Sequence, residues 1–217
     1  MVAEVPDPEF GFPRYVWSPR FETPKDFAGL QNTDPLVFGP SFLYSNCQQT
    51  TVRGPTGVRH LESGSIILFG SYLRGDFVLD TLFVVSRYED FDRSDYVAAA
   101  AMAPSAYEDL TLKPVLLNLR EDRALDSFRL YIGATPTDQL NGMFSFFPCV
   151  PREGAPRGFR RPKITLNGRS TPSMRQAKKL TPIDSLSEAK TLWDEVVAQT
   201  RQQGLMLGTR ASVPGVL

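Results

Sequence analysis

The side chains best suited to catalysis are few and widely separated: one histidine, His60, and two cysteines, Cys47 and Cys149, in 217 residues. A structural zinc site usually takes four Cys or His ligands and a catalytic one three protein ligands, so a soft-ligand metal centre has almost nothing to be built from. A triad would have to use His60 as its base, and Arg59 and Leu61 flank it with no nucleophile motif nearby. The Walker loop, the dinucleotide-binding glycine triplet, HExxH and GxSxG are also missing. Neither a metal nor another cofactor is expected.

Three constellations remain. In "YSNCQQ" an apolar strand ends directly in Asn46, Cys47, Gln48 and Gln49, which would hold amide and thiol groups at the mouth of a pocket. Amide side chains suit hydrogen bonding to a base edge; the plainer alternative is turn chemistry, with Cys47 a small buried hydrophobe. In "FFPCVPREGAPRGFRRPKI" Cys149 lies between prolines, and Arg157, Arg160 and Arg161 follow with Phe159 interleaved. Arginines on a Gly/Pro-held backbone beside an aromatic ring suit phosphate contact and base stacking. A long surface connection would look similar.

The third constellation is Asp80 with Thr81, set into the apolar second half of "GSIILFGSYLRGDFVLDTLFVVSRYEDF". A carboxylate stranded in a buried strand costs several kcal/mol unless paired, hydrogen-bonded or protonated. Arg59 or Arg74 would be structural partners; equally, Asp80 would accept from a ligand's exocyclic amine or act as general base.

The elements that must position these groups read as α+β. At 41% hydrophobic and 22% charged the composition is that of a globular protein. No apolar run approaches the roughly 18 residues that cross a bilayer, and the first residues lack a basic leader, so a cytoplasmic protein with no membrane partner is expected. Formal net charge is zero, but Arg152 to Lys179 holds nine cations against Glu153, whereas Glu89 to Asp126 is acid-rich. Such segregation gives one face an affinity for anions.

Residues 1–35, dense in proline and aromatics, read as an extended arm packed on a core, and 36–217 as a single α+β domain. "LVFGPSFLY" reads as a strand, residues 64–91 as a hairpin, "YVAAAAMAPSAYEDL" as a helical insertion broken at Pro104, and "SFRLYIGATP", "GMFSFFPCVP" and "RPKITL" as further strands. Residues 185–203 form the clearest helix: Ser185 and Glu188 have capping-box spacing, Leu186, Ala189, Trp193, Val196 and Val197 share one face, and Gly204 ends it.

The blocks "YSNC", "RHLESGSIILFGS", "FVLDTLFVVSRYEDF", "MFSFFPC" and "GFRRPKI" together resemble the nucleotide modification associated domain families of phage and bacterial DNA base-modification systems, the third of them above all. The hairpin is also similar to that of PUA-like, EVE and YTH domains. The likeness spans residues 36 to about 168. It implies a PUA-like mixed β-barrel with a helical insertion and a C-terminal helix, whose pocket handles a nucleobase or modified nucleotide.

The sequence therefore predicts a protein associated with nucleic acid or nucleotides. Asn46, Cys47, Asp80, Thr81, Ser145 and Phe159 would line the base site, and Arg157, Arg160 and Arg161 would meet phosphate. The alternative is an enzyme acting on a modified nucleotide or nucleoside, with Asp80 as base and Cys47 or Cys149 as nucleophile.

Overall fold

The computed structural model describes residues 3–6, 13–16, 35–38, 40–45, 49–51, 54–73, 75–103, 107–108, 111–113, 127–150, 159–166 and 183–211. It is a mixed α+β structure, mostly antiparallel. In chain order the elements are β1 (Ala3–Pro6), β2 (Pro13–Val16), β3 (Leu36–Phe38), β4 (Ser41–Tyr44), β5 (Thr50–Thr51), β6 (Gly54–Pro55), β7 (Ile66–Leu73) and β8 (Asp76–Asp92). Helix α1 (Tyr96–Ala101), β9 (Ser127–Gly133), β10 (Phe147–Cys149), α2 (Leu186–Gln202), β11 (Met206–Gly208) and β12 (Arg210–Ala211) follow.

The central sheet has the order β3-β4-β9-β8-β7, and among the described residues β3 and β7 stand at its ends and do not close into a ring. The single strand expected at 36–44 is a tight hairpin, Phe38 pairing with Ser41, because "FGPS" carries turn residues. Part of the N-terminal arm also joins a sheet: β1 lies between β2 and β12, so this segment and the C-terminal end share one ladder.

The 17-residue β8 organises the core. Its first half pairs with β7 and its second with β9. Two register shifts interrupt it: Phe69 and Gly70 oppose Thr81 and Leu79, leaving Asp80 as an inserted residue, and Gly133 and Ile132 oppose Val85 and Arg87, leaving Ser86. Strand side chains alternate, so each inserted residue moves the rest of the strand to the other face. Phe77 and Leu79 thereby face the same side as Leu82 and Val84.

That side packs against two helices. Leu79, Leu82 and Val84, with Ile66 and Leu68, meet Ala189, Trp193, Val196 and Val197 of α2. Further along, Leu43, Phe128 and Leu130 with Phe91 meet Ala99 and Ala100 of α1. The opposite face collects Phe42, Tyr44, Phe83, Val85 and Tyr131 with Phe69. Tyr44 sits by Tyr131, which opposes Tyr88, seven residues along β8 from the Thr81 that opposes Phe69. In a flat sheet Tyr44 and Phe69 would be about 25 Å apart. Their rings stand 5.2 Å apart, so the sheet curls around this aromatic cluster.

Helix α2 begins where its capping residues place it. Ser185 Oγ accepts from the Glu188 N–H, Glu188 accepts from the Asp184 N–H, and Gly204 follows the helix at φ +76°. Leu186, expected on the apolar face, is exposed, and Leu192 is buried on that face. The Trp193 Nε1–H donates to the Phe144 carbonyl at 2.9 Å, fixing the helix across the sheet.

The inserted residues of β8 require glycine opposite them. A methyl group at Gly133 would lie 2.7 Å from Ser145 Oγ and 2.8 Å from Phe42 Cβ, and one at Gly70 would overlap the Val78 carbonyl. Gly133→Ala and Gly70→Ala are each expected to lower stability by about 1–3 kcal/mol through overpacking. Urea midpoints measure this; unchanged midpoints would mean that the strands separate freely at these points.

Candidate functional site

Two sequence-predicted site residues from distant parts of the chain meet at the first irregularity of β8. Arg161 Nη1 donates to Asp80 Oδ1 at 2.6 Å. Asp80 is not stranded in the core: as the inserted residue it points outward, with 44% of its side chain exposed. This corrects the expectation of a buried acid. Its partner among the described residues is Arg161 rather than Arg59, which binds Ser127; Arg74 lies outside the described residues.

The basic segment around Arg161 is held from both sides. The Leu79 N–H donates to the Pro162 carbonyl and the Ile164 N–H to the Phe77 carbonyl. On the other side, Gln203 bonds the N–H and carbonyl of Lys163, and Gln199 those of Thr165. Two glutamines one helical turn apart thus act as a substitute strand for 162–166. Pro162 and Ile164 are buried, so the alternation turns Arg161 and Lys163 outward. Lys163 Nζ pairs with Asp76 Oδ2 at 2.5 Å. Arg160 is exposed and makes no ion pair among the described residues.

Of the polar elbow, Asn46, Cys47 and Gln48 lie outside the described residues, as does Arg157. Gln49 is described, and it is only 2% exposed. Its Nε2 donates to the Arg129 carbonyl at 2.9 Å, which an acceptor could not do, so the amide orientation is fixed. Its Oε1 is buried and has no hydrogen-bond partner among the described residues.

Around Gln49 a network ties a 3-10 turn, Gly57–His60, over the end of the aromatic cluster. The Tyr131 hydroxyl donates to the Val58 carbonyl at 2.8 Å and accepts from the Leu61 N–H at 3.1 Å. Arg129 donates to the Arg59 carbonyl, holds Asp90 through two bonds of 2.8 and 2.7 Å, and stacks 3.7 Å from the Tyr88 centroid. These hydrogen bonds to Arg129 hold the Asp90 carboxyl below its ordinary range. Burial raises the Tyr131 phenol.

The other nominated residues fall in different settings. Thr81 is buried beside Asp80. Ser145 is fully buried, and its Oγ accepts from the Val84 N–H at 3.0 Å, so its hydroxyl serves the sheet. Phe159 is half-buried at the start of the basic segment. Cys149 lies in β10, 2% exposed, with Sγ donating to the Met206 carbonyl; burial pushes its thiol far above the usual range. A nucleophile needs an accessible thiolate, and Cys149 offers neither access nor thiolate.

Sequence reading passed over Asp76, Arg129, Gln199 and Gln203. The i,i+4 glutamines late in α2 were its one available signal; Arg129 becomes visible only when the β8–β9 register sets it beside Tyr88 and Asp90. Among the described residues no group of three His, Cys, Asp or Glu could hold a metal ion, and no helix is long and apolar enough to cross a membrane. No family model, no curated protein and no solved structure matches the chain.

Two outcomes follow from these settings. Iodoacetamide at pH 8 should leave the Cys149 peptide of the native protein unlabelled and modify it in urea; native labelling, read by mass spectrometry, would contradict the burial. The lowered Asp90 carboxyl gives stability that is complete above the unfolded value of about 4 and lost as pH falls through the folded value. Asp90→Asn should therefore cost stability at pH 7, by no more than about 1 kcal/mol for so exposed a carboxylate, and nothing at strongly acid pH. Paired urea titrations at the two pH values give the comparison.

Proposed function

We propose that this protein is a nucleic-acid-associated pocket protein that handles a nucleobase, in recognition or processing of modified DNA bases. The observation that carries this reading is Gln49: an amide oriented by the Arg129 carbonyl, with its own carbonyl buried and unpartnered among the described residues. Leaving such an acceptor unsatisfied costs about 1–3 kcal/mol, and a donor on a base edge relieves that cost. The curled sheet with its aromatic interior supports the PUA-like barrel comparison, and the sequence blocks support the modification-associated families. Asn46 and Cys47 precede Gln49 in the chain by three and two residues and would complete the base site.

The basic segment supplies the phosphate contacts in this reading. Arg160 is free of ion pairs among the described residues, and the backbone beside it is clamped by Gln199 and Gln203. A fixed backbone lowers the ordering cost of binding.

Fluorescence anisotropy with labelled single- and double-stranded oligonucleotides at about 50 and 200 mM salt tests the reading. Gln49→Leu should weaken binding about tenfold with the salt dependence intact, as loss of a base contact does. Arg160→Ala with Arg161→Ala should weaken binding and flatten the salt dependence. Absence of binding by the wild type at both salt concentrations would overturn the proposal.

A further inference from the structure

The cations of the basic segment are not presented free. Arg161 and Lys163 project on the same side of the clamped strand, and each meets a carboxylate from the facing part of β8: Asp80 at 2.6 Å and Asp76 at 2.5 Å. The antiparallel bridge between Val78 and Lys163 sets Asp80 across from Arg161. All four side chains are 41–67% exposed, so water reaches both pairs.

These contacts follow from the backbone. The inserted position of Asp80 turns its carboxylate outward, while β8 and the two glutamines fix the opposite strand. Their strength is another matter. An exposed ion pair contributes about 0–1 kcal/mol, far less than either side chain would lose by being buried alone. The fold does not depend on them, yet they neutralise two of the three cations at Arg160, Arg161 and Lys163.

We propose that Asp76 and Asp80 act as built-in competitors for phosphate, holding Lys163 and Arg161 until a polyanion displaces them. This rests on the nucleic-acid reading above and adds a regulation to it. A phosphate oxygen takes up the guanidinium or ammonium in place of a carboxylate oxygen, no covalent bond changes, and the released carboxylates turn to water. A lone phosphate gains little from the exchange because it must break a pair to make one. A nucleic acid strand already anchored at Arg160 makes the exchange at raised effective concentration. The carboxylates thus disfavour isolated anions and weak surface adsorption, and leave a strand that spans all three cations as the preferred ligand.

The test compares wild type with Asp76→Asn plus Asp80→Asn, using a labelled single-stranded oligodeoxynucleotide in anisotropy titrations across a salt series. The amides keep the side-chain shape and remove both negative charges. The variant should bind roughly tenfold more tightly at low salt, with a log-log salt slope close to that of the wild type, because displacement brings the same phosphates to the same cations in both. Inorganic phosphate, added as competitor, should reduce binding by the variant at lower concentrations than it does for the wild type. If wild type and variant bind alike, the competition is overturned while the nucleic-acid reading stands. If neither binds at any salt, both fail together. Should the double variant not fold, Asp76→Asn alone, away from the inserted residue, should bind about threefold more tightly at low salt, and an unchanged affinity there is equally decisive.

Discussion

The fold depends on keeping one long strand in phase while its neighbours change. Strand β8 pairs first with β7, touches Phe146 and Lys163 on its other side, and then passes to β9. A regular strand of this length would twist its apolar residues out of line with both helices. Asp80 and Ser86 are the extra residues that reset the alternation, and Gly70 and Gly133 stand opposite the two resets. Backbone and side chains approach too closely there for a Cβ. From this one device come the α2 face, the α1 face and the curled aromatic cluster, because each needs a different stretch of β8 to present the right side.

Where strands part company, polar side chains take over the ladder. Ser145 meets the Val84 N–H, the Gln49 amide meets the Arg129 carbonyl beyond the end of β4, and Gln199 and Gln203 serve the outer side of 162–166. Buried backbone groups must be paired, and the sheet alone does not reach them. The same substitutions decide which polar groups are left over. Ser145, Gln199 and Gln203 serve the backbone ladder, whereas Gln49 uses only its N–H2 and its carbonyl has no partner among the described residues.

Much of this was legible before the structure. The hairpin at 64–91, the capped helix from Ser185 and the short alanine helix all arise from local pattern, which is what sequence carries best. Asp80 was noticed for the right reason and explained wrongly: an acid in an apolar run suggests a buried charge, but the extra residue of a bulge is also allowed to be polar, and only the partner strand tells the two apart. The glycine opposite was the missing half of that signal. Cys149 between prolines looked reactive in sequence, and its burial arises from β11, nearly sixty residues later in the chain. The basic residues were legible as a group, but the pairing of Arg161 with Asp80 and of Lys163 with Asp76 needed the antiparallel bridge of 163 with Val78.

The two ends of β8 carry the same chemistry with opposite consequences. At one end Arg129 is held on several sides: Asp90 accepts from two of its N–H groups, the Arg59 carbonyl from a third, and Tyr88 covers its face. Removing any partner leaves the others in place, so this guanidinium is a clamp for the turn over the aromatic cluster. At the other end Arg161 has one bond to one carboxylate, in water, with its remaining donors unused among the described residues. A guanidinium can exchange ligands only when most of its donors are uncommitted and the cost of losing one partner is small. That condition separates two arginine–aspartate pairs that sequence and distance alone would rank as equals, and it assigns anion exchange to the 161 end and rigidity to the 129 end.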